Sequence, residues 1–204
     1  MDWSLYKQQP AFVIGFHGCD KSTVEEVLAG NCELRPSINN YDWLGDGIYF
    51  WEGSPARAYE FAASRAMGGK GSKGTIKIPC VIGAVIDLGY CFNLMDSQAI
   101  DELGVAYESL KQQITSSGKL HGMEMPKNTG GDDLVKRFLD RSVIEFMHHL
   151  RTINSLPAYD TARAAFFEGG RLYPDAGFTK RAHIQVAVRH TNSIKCYFRP
   201  KQPC

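Results

Sequence analysis

The segment from residue 12 to residue 59 constrains the fold more than any other part of the chain. An apolar run, residues 12–16, leads into His17-Gly18, which is typical of a buried strand whose end delivers polar groups to a cleft. Farther on, Gly45-Asp46-Gly47 precedes Ile48-Tyr49-Phe50. This order predicts a tight turn and then a strand, with Tyr49 on the face opposite to Ile48 and Phe50.

This ordered set resembles the signature of ADP-ribosyltransferases of the diphtheria toxin and poly(ADP-ribose) polymerase type. That signature contains an apolar-His-Gly motif, a short helix ending in glycine, a Gly-x-Gly-Ile-Tyr-Phe block and a helix with a second tyrosine. The matching positions are Phe16-His17-Gly18, Gly30, Gly45 to Phe50 and Ala58-Tyr59. The resemblance implies an α+β fold with an ADP-ribosyltransferase-like split β-sheet core, and NAD as the substrate.

The resemblance also implies roles for four residues. His17 would hold the adenosine-side ribose of NAD, and the backbone of Gly18 would hold the carboxamide. Tyr49 and Tyr59 would sandwich the nicotinamide ring. From the residues alone a second interpretation stays open, in which His17 is a buried histidine with its hydrogen bonds satisfied and the tyrosines belong to the core.

The third element of the family is a carboxylate or its amide near the start of a later strand. Residues 182–189 alternate strictly, with Ile184, Val186 and Val188 on one face and His183, Gln185, Ala187 and Arg189 on the other. By strand position we predict Gln185 as this element. The result is a His-Tyr-Gln arrangement, which favours a single transfer over chain elongation.

Glu168 is the second candidate for the same role. It opens a turn-rich, aromatic loop, residues 166–178, which resembles the substrate-recognising loop of the family. Cleavage of the nicotinamide–ribose bond builds positive charge on the sugar, and a carboxylate near the ribose would stabilise that charge. A glutamine offers only a dipole and hydrogen bonds.

One further position departs from the family. The polymerases carry a serine that bonds the carboxamide three residues before the second tyrosine, and this chain has Ala56 there. Gly18 would then be the sole anchor of the amide.

The rest of the chain is consistent with one domain, residues 1–204, because no low-complexity linker or repeat divides it. The family signature leaves the middle unmatched, and we predict a helical insertion over about residues 97–160. Its first helix spans residues 97–114, and its second begins at Asp132-Asp133. We expect this insertion to be scaffold rather than a partner-binding surface.

Charge and cysteine content exclude some classes of protein. The net charge is +1, which argues against a general nucleic-acid coat, yet residues 171–204 hold seven Lys and Arg against one acid, Asp175. That segment is either a docking surface for an anionic target or for the NAD pyrophosphate, or a solvated face. Six cysteines without a Cys-x-x-Cys pair predict no metal site. Residues 67–74 indicate a flexible basic loop.

The sequence leaves the biological setting and the target open. It shows no apolar signal core and no run that could span a membrane, so we expect a cytoplasmic site of action, which a delivered toxin or effector would share. Three functions remain: transfer of ADP-ribose to a macromolecule, hydrolysis of NAD, and NAD or ADP-ribose binding without chemistry. The target could be protein or nucleic acid, and an antitoxin or immunity protein is a further partner class that the resemblance leaves open.

Overall fold

The computed structural model of the protein describes residues 8–68, 76–121, 124–202 and 204. Most of the basic loop predicted over residues 67–74 therefore lies outside the described residues. In chain order the elements are β1 (Gln8–Asp20), α1 (Lys21–Leu28), β2 (Ile48–Glu52), α2 (Pro55–Ala66), β3 (Pro79–Asn93), α3 (Ser97–His121), α4 (Phe138–Ile153), β4 (Thr161–Phe166), β5 (His183–Val188) and β6 (Ile194–Phe198). The predicted α+β class is confirmed.

The six strands form one mainly antiparallel sheet in the order β1-β2-β5-β4-β3-β6. Among the strand pairings of the described residues, the short β3–β4 pairing is parallel and the others are antiparallel. Strand β1 also pairs with β3 over almost its whole length, so the hydrogen-bonded neighbours β1-β2-β5-β4-β3 form a closed circuit. This topology places β1, β2 and β5 side by side, although about 170 residues separate the first strand from the last.

The two faces of the sheet carry different cores. The first cluster is aliphatic, contains Ile48 and Phe50, and packs against α1. The second cluster contains Leu44, Phe92 and Ala187 and lies under α3 and α4. Tyr49 packs against the second cluster, so the alternation predicted for β2 is observed. The alternation of β5 is observed in the same way, with Val186 and Val188 in the first cluster and Ala187 in the second.

The predicted helical insertion consists of α3 and α4, which pack on each other and on the second face of the sheet. The first helix runs beyond the predicted residue 114 to His121. The predicted start of the second helix at Asp132-Asp133 is wrong, because residues 131–134 form a turn and α4 begins at Phe138. Leu134 has a φ of 48°, which no α-helix accepts. The Asp133 carboxylate accepts from the Gly169 N–H instead of capping a helix.

A buried arginine ties the two helices to the sheet. The Arg151 guanidinium donates to Glu102 of α3 at 2.5 Å, to the Tyr90 hydroxyl at 3.2 Å and to the Pro157 carbonyl oxygen at 2.9 Å. It also lies over the rings of Tyr90 and Tyr159, which stack on each other. We call Tyr90, Glu102, Arg151 and Tyr159 the arginine network.

Two further findings complete the fold. A disulfide joins Cys80 of β3 to Cys204. Within the described ranges, no helix is both long enough and apolar enough to cross a lipid bilayer.

Candidate functional site

The three motifs that the sequence singles out lie on neighbouring strands. Register pairs Phe16 of β1 with Trp51 of β2, Trp51 with Gln185 of β5, and Gln185 with Ala164 of β4. Because directly opposed residues of antiparallel strands share a face, these four side chains form one row across the sheet. The row runs along the second face, next to α2.

His17 is fixed by a hydrogen bond to β2. Its Nδ1 lies 2.8 Å from the Tyr49 carbonyl oxygen, and since a carbonyl only accepts, we assign the proton to Nδ1. Burial lowers the pKa of His17, so the ring is neutral and Nε2 is an acceptor. The ring lies against Phe50, on the face of the first cluster. His17 and Tyr49 are therefore joined through the Tyr49 backbone, while their side chains point to opposite faces.

Gly18 is required by the packing of α2. A Cβ atom at this position would stand 2.0 Å from the carbonyl oxygen of Ala58, so only glycine permits this approach of helix and strand. The packing of α2 on β1 is therefore sufficient to explain why residue 18 is a glycine. Its predicted contact with a carboxamide remains a prediction.

The two tyrosines differ in how firmly they are held. The Tyr49 hydroxyl donates to the Gly45 carbonyl oxygen at 2.7 Å and accepts from the Leu44 N–H at 2.9 Å, and burial raises its pKa well above the usual value. Tyr49 thereby closes the Gly-Asp-Gly turn. Tyr59 lies on α2 with its side chain exposed, and within the described part of the chain no ring contact joins it to Tyr49. The pair does not form a closed sandwich in this structure.

Gln185 is 4% exposed and its amide is oriented by a tryptophan. Its Oε1 accepts from the Trp43 indole N–H at 2.5 Å. Trp43 stacks on Phe166 with ring centres 4.0 Å apart, and the Arg137 guanidinium lies over both rings. The Gln185 side-chain NH₂ has no hydrogen-bond partner among the described residues. With its oxygen occupied, Gln185 offers a donor to a ligand.

Glu168, the second catalytic candidate, is buried beside the first turn of α2. Its carboxylate lies 3.4 Å from Arg57 of α2. Burial raises the pKa of Glu168, while the Arg57 charge opposes that shift. Glu168 therefore lies in the same region as Gln185, with a cation beside it.

Two buried ring nitrogen atoms in this region lack partners, in addition to Arg57 Nε. His183 is 9% exposed, and its Nδ1 lies 2.8 Å from the Arg181 carbonyl oxygen, which makes Nε2 the free acceptor of a neutral ring. Burial lowers the pKa of His183. Among the residues that the structure describes, neither His183 Nε2 nor Trp51 Nε1 has a hydrogen-bond partner. The centres of these two rings are 6.4 Å apart.

We call the seven side chains of this region the site cluster; they are Trp43, Trp51, Arg57, Phe166, Glu168, His183 and Gln185. Sequence reasoning selected Gln185 and Glu168 and missed the other five. His183 and Trp51 could have been found, because they alternate in step with Gln185 and Tyr49. No local pattern marks Trp43 or Arg57, which reach the cluster through tertiary packing.

The site cluster combines flat aromatic walls with several free donors and one free acceptor. The Trp51 N–H can donate and the neutral His183 Nε2 can accept. A buried unpaired polar atom costs about 1–3 kcal/mol, so a pair of them favours a ligand that satisfies both. A planar ring with a neutral carboxamide has this chemistry. No group of three His, Cys, Asp or Glu side chains suited to a metal ion occurs among the described residues.

Comparison with known proteins adds little to this picture. No protein-family profile matches the chain, and no solved structure matches it. A stretch of 37 residues is 43% identical to part of an uncharacterized protein of Methanocaldococcus jannaschii, covering 18% of this chain and 17% of that protein. The matched stretch is thus about a sixth of either chain, and an uncharacterized relative supplies no function.

Proposed function

We propose that the protein is an NAD-dependent mono-ADP-ribosyltransferase, which cleaves the nicotinamide–ribose bond and transfers ADP-ribose to a macromolecular target. One observation carries the proposal. The His-Gly motif, the Gly-Asp-Gly-Ile-Tyr-Phe block and the Gln185 strand come from distant parts of the sequence and occupy adjacent strands β1, β2 and β5. Gly18, Tyr49 and Gln185 face the same side of the sheet, which supports a binding site on that side. The His17 ring lies on the opposite face and is joined to the site through the Tyr49 backbone.

The proposed reaction asks specific things of these residues. As the nicotinamide leaves with the bonding electron pair, positive charge develops on the ribose and an acceptor nucleophile attacks the same carbon. Gln185, fixed by Trp43, would donate a hydrogen bond from its NH₂ to a ribose hydroxyl. Glu168, which pairs with Arg57, is the alternative candidate for this role, and its carboxylate would stabilise the cationic sugar if Gln185 is not the third element. His17 would bind the adenosine-side ribose through Nε2.

A second candidate function is NAD or ADP-ribose binding without chemistry. Two features of the site cluster favour it. Residue 185 is an amide, which carries no charge, and the Glu168 carboxylate is already paired with Arg57. Hydrolysis of NAD is a third function, in which water replaces the macromolecular acceptor.

Incubation with NAD labelled in the adenosine moiety separates these functions. Label on a macromolecule supports transfer, free ADP-ribose supports hydrolysis, and binding without turnover supports the module. Gln185→Ala should reduce turnover about tenfold or more while leaving NAD affinity nearly unchanged, because its hydrogen bond matters most as charge develops. Gln185→Glu should raise NAD hydrolysis. Glu168→Gln should alter mainly the choice of target.

Matched variants make the result specific. His17→Ala and Tyr49→Ala should each weaken NAD binding, whereas His149→Ala, an exposed histidine on α4, should not. Absence of any response of the wild-type protein to NAD in a thermal-shift titration at millimolar concentration would overturn the proposal. If Gln185→Ala keeps full activity while Glu168→Gln abolishes transfer and hydrolysis, the catalytic group is Glu168.

A further inference from the structure

The connection between β4 and β5 forms a hairpin that stands out from the sheet. The Leu172 N–H donates to the Phe178 carbonyl oxygen, and the Lys180 N–H donates to the Gly170 carbonyl oxygen, on either side of a bridge between Arg171 and Thr179. A turn closes the tip at Asp175, whose φ is 62°. We call residues 167–182 the projecting hairpin. These backbone bonds give it a defined shape.

The projecting hairpin exposes large apolar side chains that its own fold does not cover. The exposed fractions of Phe167, Leu172, Tyr173 and Phe178 lie between 54% and 68%. Leu172 and Phe178 are directly opposed in the hairpin and share one side with Lys180. A group of exposed aromatic and aliphatic side chains on an ordered support marks a contact surface.

Cations surround these rings. Arg171, Lys180 and Arg181 are exposed. Of the two acids within the hairpin, Asp175 lies 3.6 Å from Arg171, and Glu168 is buried beside Arg57, with Arg181 near enough to lower its pKa. No ion pair to Lys180 or Arg181 occurs among the described residues, and Asp133 near the base is engaged by the Gly169 N–H. Exposed rings interleaved with free cations suit a partner that has both flat aromatic groups and negative charge.

The base of the projecting hairpin adjoins the site cluster. The Arg181 N–H donates to the Glu168 carbonyl oxygen, and the Arg181 carbonyl oxygen lies 2.8 Å from His183 Nδ1. Strand β5 then continues to Gln185. A partner held on the hairpin would therefore reach the residues to which transfer is assigned.

From these observations we propose that the projecting hairpin binds single-stranded nucleic acid, which serves as the ADP-ribose acceptor. Bases stack on exposed aromatic rings, and the phosphates pair with lysine and arginine. A duplex keeps its bases stacked inside and cannot use the rings in this way. The acceptor role, unlike the binding, rests on the proposed function.

In the transfer step an oxygen or nitrogen of the bound strand attacks the ribose carbon that carries nicotinamide. The new bond forms at that carbon as the carbon–nitrogen bond breaks, and its electron pair stays on the nicotinamide. The proton of the nucleophile passes to solvent. No oxidant, reductant or further reactant is needed.

Fluorescence anisotropy without NAD tests the binding surface. Labelled single strands of DNA and of RNA, about a dozen nucleotides long, are titrated with the full chain. The Tyr173→Ala/Phe178→Ala double variant should bind about tenfold or more weakly, since stacking on each ring is lost. Lys180→Gln should reduce the slope of log K against log salt by about 0.7. Phe12→Ala, an exposed ring on β1, is the matched control and should bind as the wild type.

The outcomes are separable from those of the proposed function. Because the mutated side chains are exposed, the thermal midpoint should not change, so weaker binding reports the surface itself. The inference is overturned if the wild type binds no single strand, if duplex binds as tightly, or if the double variant matches the wild type. Strand binding without any NAD response would overturn the transferase and keep the nucleic-acid surface.

With radiolabelled NAD present, label on the oligonucleotide is the expected result. Label that reaches only protein would overturn the acceptor role. Preference for DNA or for RNA identifies the natural strand.

Discussion

The arginine network and the site cluster are both buried and polar, lie on the same face of the sheet, and differ in how their hydrogen bonds are satisfied. In the arginine network every nitrogen of the Arg151 guanidinium donates to an oxygen. In the site cluster, His183 Nε2, Trp51 Nε1 and Arg57 Nε have no partner among the described residues. Satisfied buried polar groups stabilise a fold, while unsatisfied ones reduce its stability and remain available to a ligand.

The difference distinguishes these two clusters but is not confined to them, because His148 Nε2, Arg137 Nε and Arg141 Nε are also buried without a partner among the described residues. The arginine network joins α3, α4 and β3, so its task is to hold the helices of the middle segment on the sheet. The site cluster joins β2, β5, α2 and the projecting hairpin, which carry the sequence motifs other than the His-Gly pair of β1. The following predictions test whether the two clusters behave differently.

The largest loss of stability is expected from Arg151→Met. The change leaves Glu102 without the guanidinium that it contacts, and breaking a buried ion pair costs about 3–5 kcal/mol. Urea unfolding measures the loss, and NAD response should persist wherever the variant is folded. Lys111→Ala, which removes a partner from an exposed pair, should change stability by less than about 1 kcal/mol. Wild-type stability in Arg151→Met would show that the network is not structural.

A pH effect should appear beside the arginine network at His148. Burial, aided by the Arg189 charge, lowers the pKa of His148 from 6.5 to about 4. Between these values the unfolded chain binds a proton that the folded chain does not, so stability falls as pH drops from 6.5 to about 4, by up to about 3 kcal/mol.

His148→Gln should flatten the low-pH part of the stability curve, measured by urea unfolding across this pH range. His17 and His183 contribute with the same sign, because their pKa values are also lowered. The exposed neighbour His149 provides the control, since His149→Gln should leave the curve as it is. An unchanged curve in His148→Gln would contradict the assignment.

In the site cluster a substitution should weaken binding with little change in stability. His183→Phe removes the unpaired Nε2 and keeps a flat ring, but it also removes the Nδ1–H bond to the Arg181 carbonyl oxygen, so the free energy of unfolding should change by no more than about 1 kcal/mol. NAD response should weaken at the same time. Calorimetric titration and urea unfolding measure the two effects, with Trp51→Phe as a second variant. A destabilisation above about 2 kcal/mol would make His183 a structural residue like Arg151.

The smallest effect is expected from Trp43→Phe. Phenylalanine keeps the stack on Phe166 but loses the N–H that holds Gln185 Oε1, at a cost of about 1 kcal/mol. If Trp43 orients the amide, turnover should fall while the KM for NAD stays near the wild-type value. Steady-state kinetics show this split. A matching rise in KM with unchanged kcat would place Trp43 in ligand binding instead.

The sequence predicted those parts of the fold whose physics is local. The period-two patterns of residues 48–50 and 182–189 identified two strands and the correct face of each side chain, because alternation depends only on the backbone. Alternation placed Gln185 on its face, whereas Glu168 was selected from the loop that it opens, and both residues are buried. The start of α4 was missed because Asp133 bonds to Gly169, which is 36 residues away.

The rest of the site could not be predicted from local patterns. Trp43 reaches Gln185 across 142 positions, and Arg57 reaches Glu168 across 111. Such contacts are created when the sheet closes, and neither residue belongs to a motif that would select it beforehand. The need for glycine at position 18 could not be predicted either, because the carbonyl group that excludes a side chain there belongs to Ala58 of α2.

The disulfide between Cys80 and Cys204 determines how the chain would carry a mechanical load. A force applied at the C-terminal residue enters β3 directly at Cys80, in the strand that pairs with β1, and bypasses β6 as long as the bond is intact. Reduction would place β6 in the path of the load, where it can peel from the edge of β3. Single-molecule pulling from the C-terminal residue should therefore show an early, low-force event only after reductant is added.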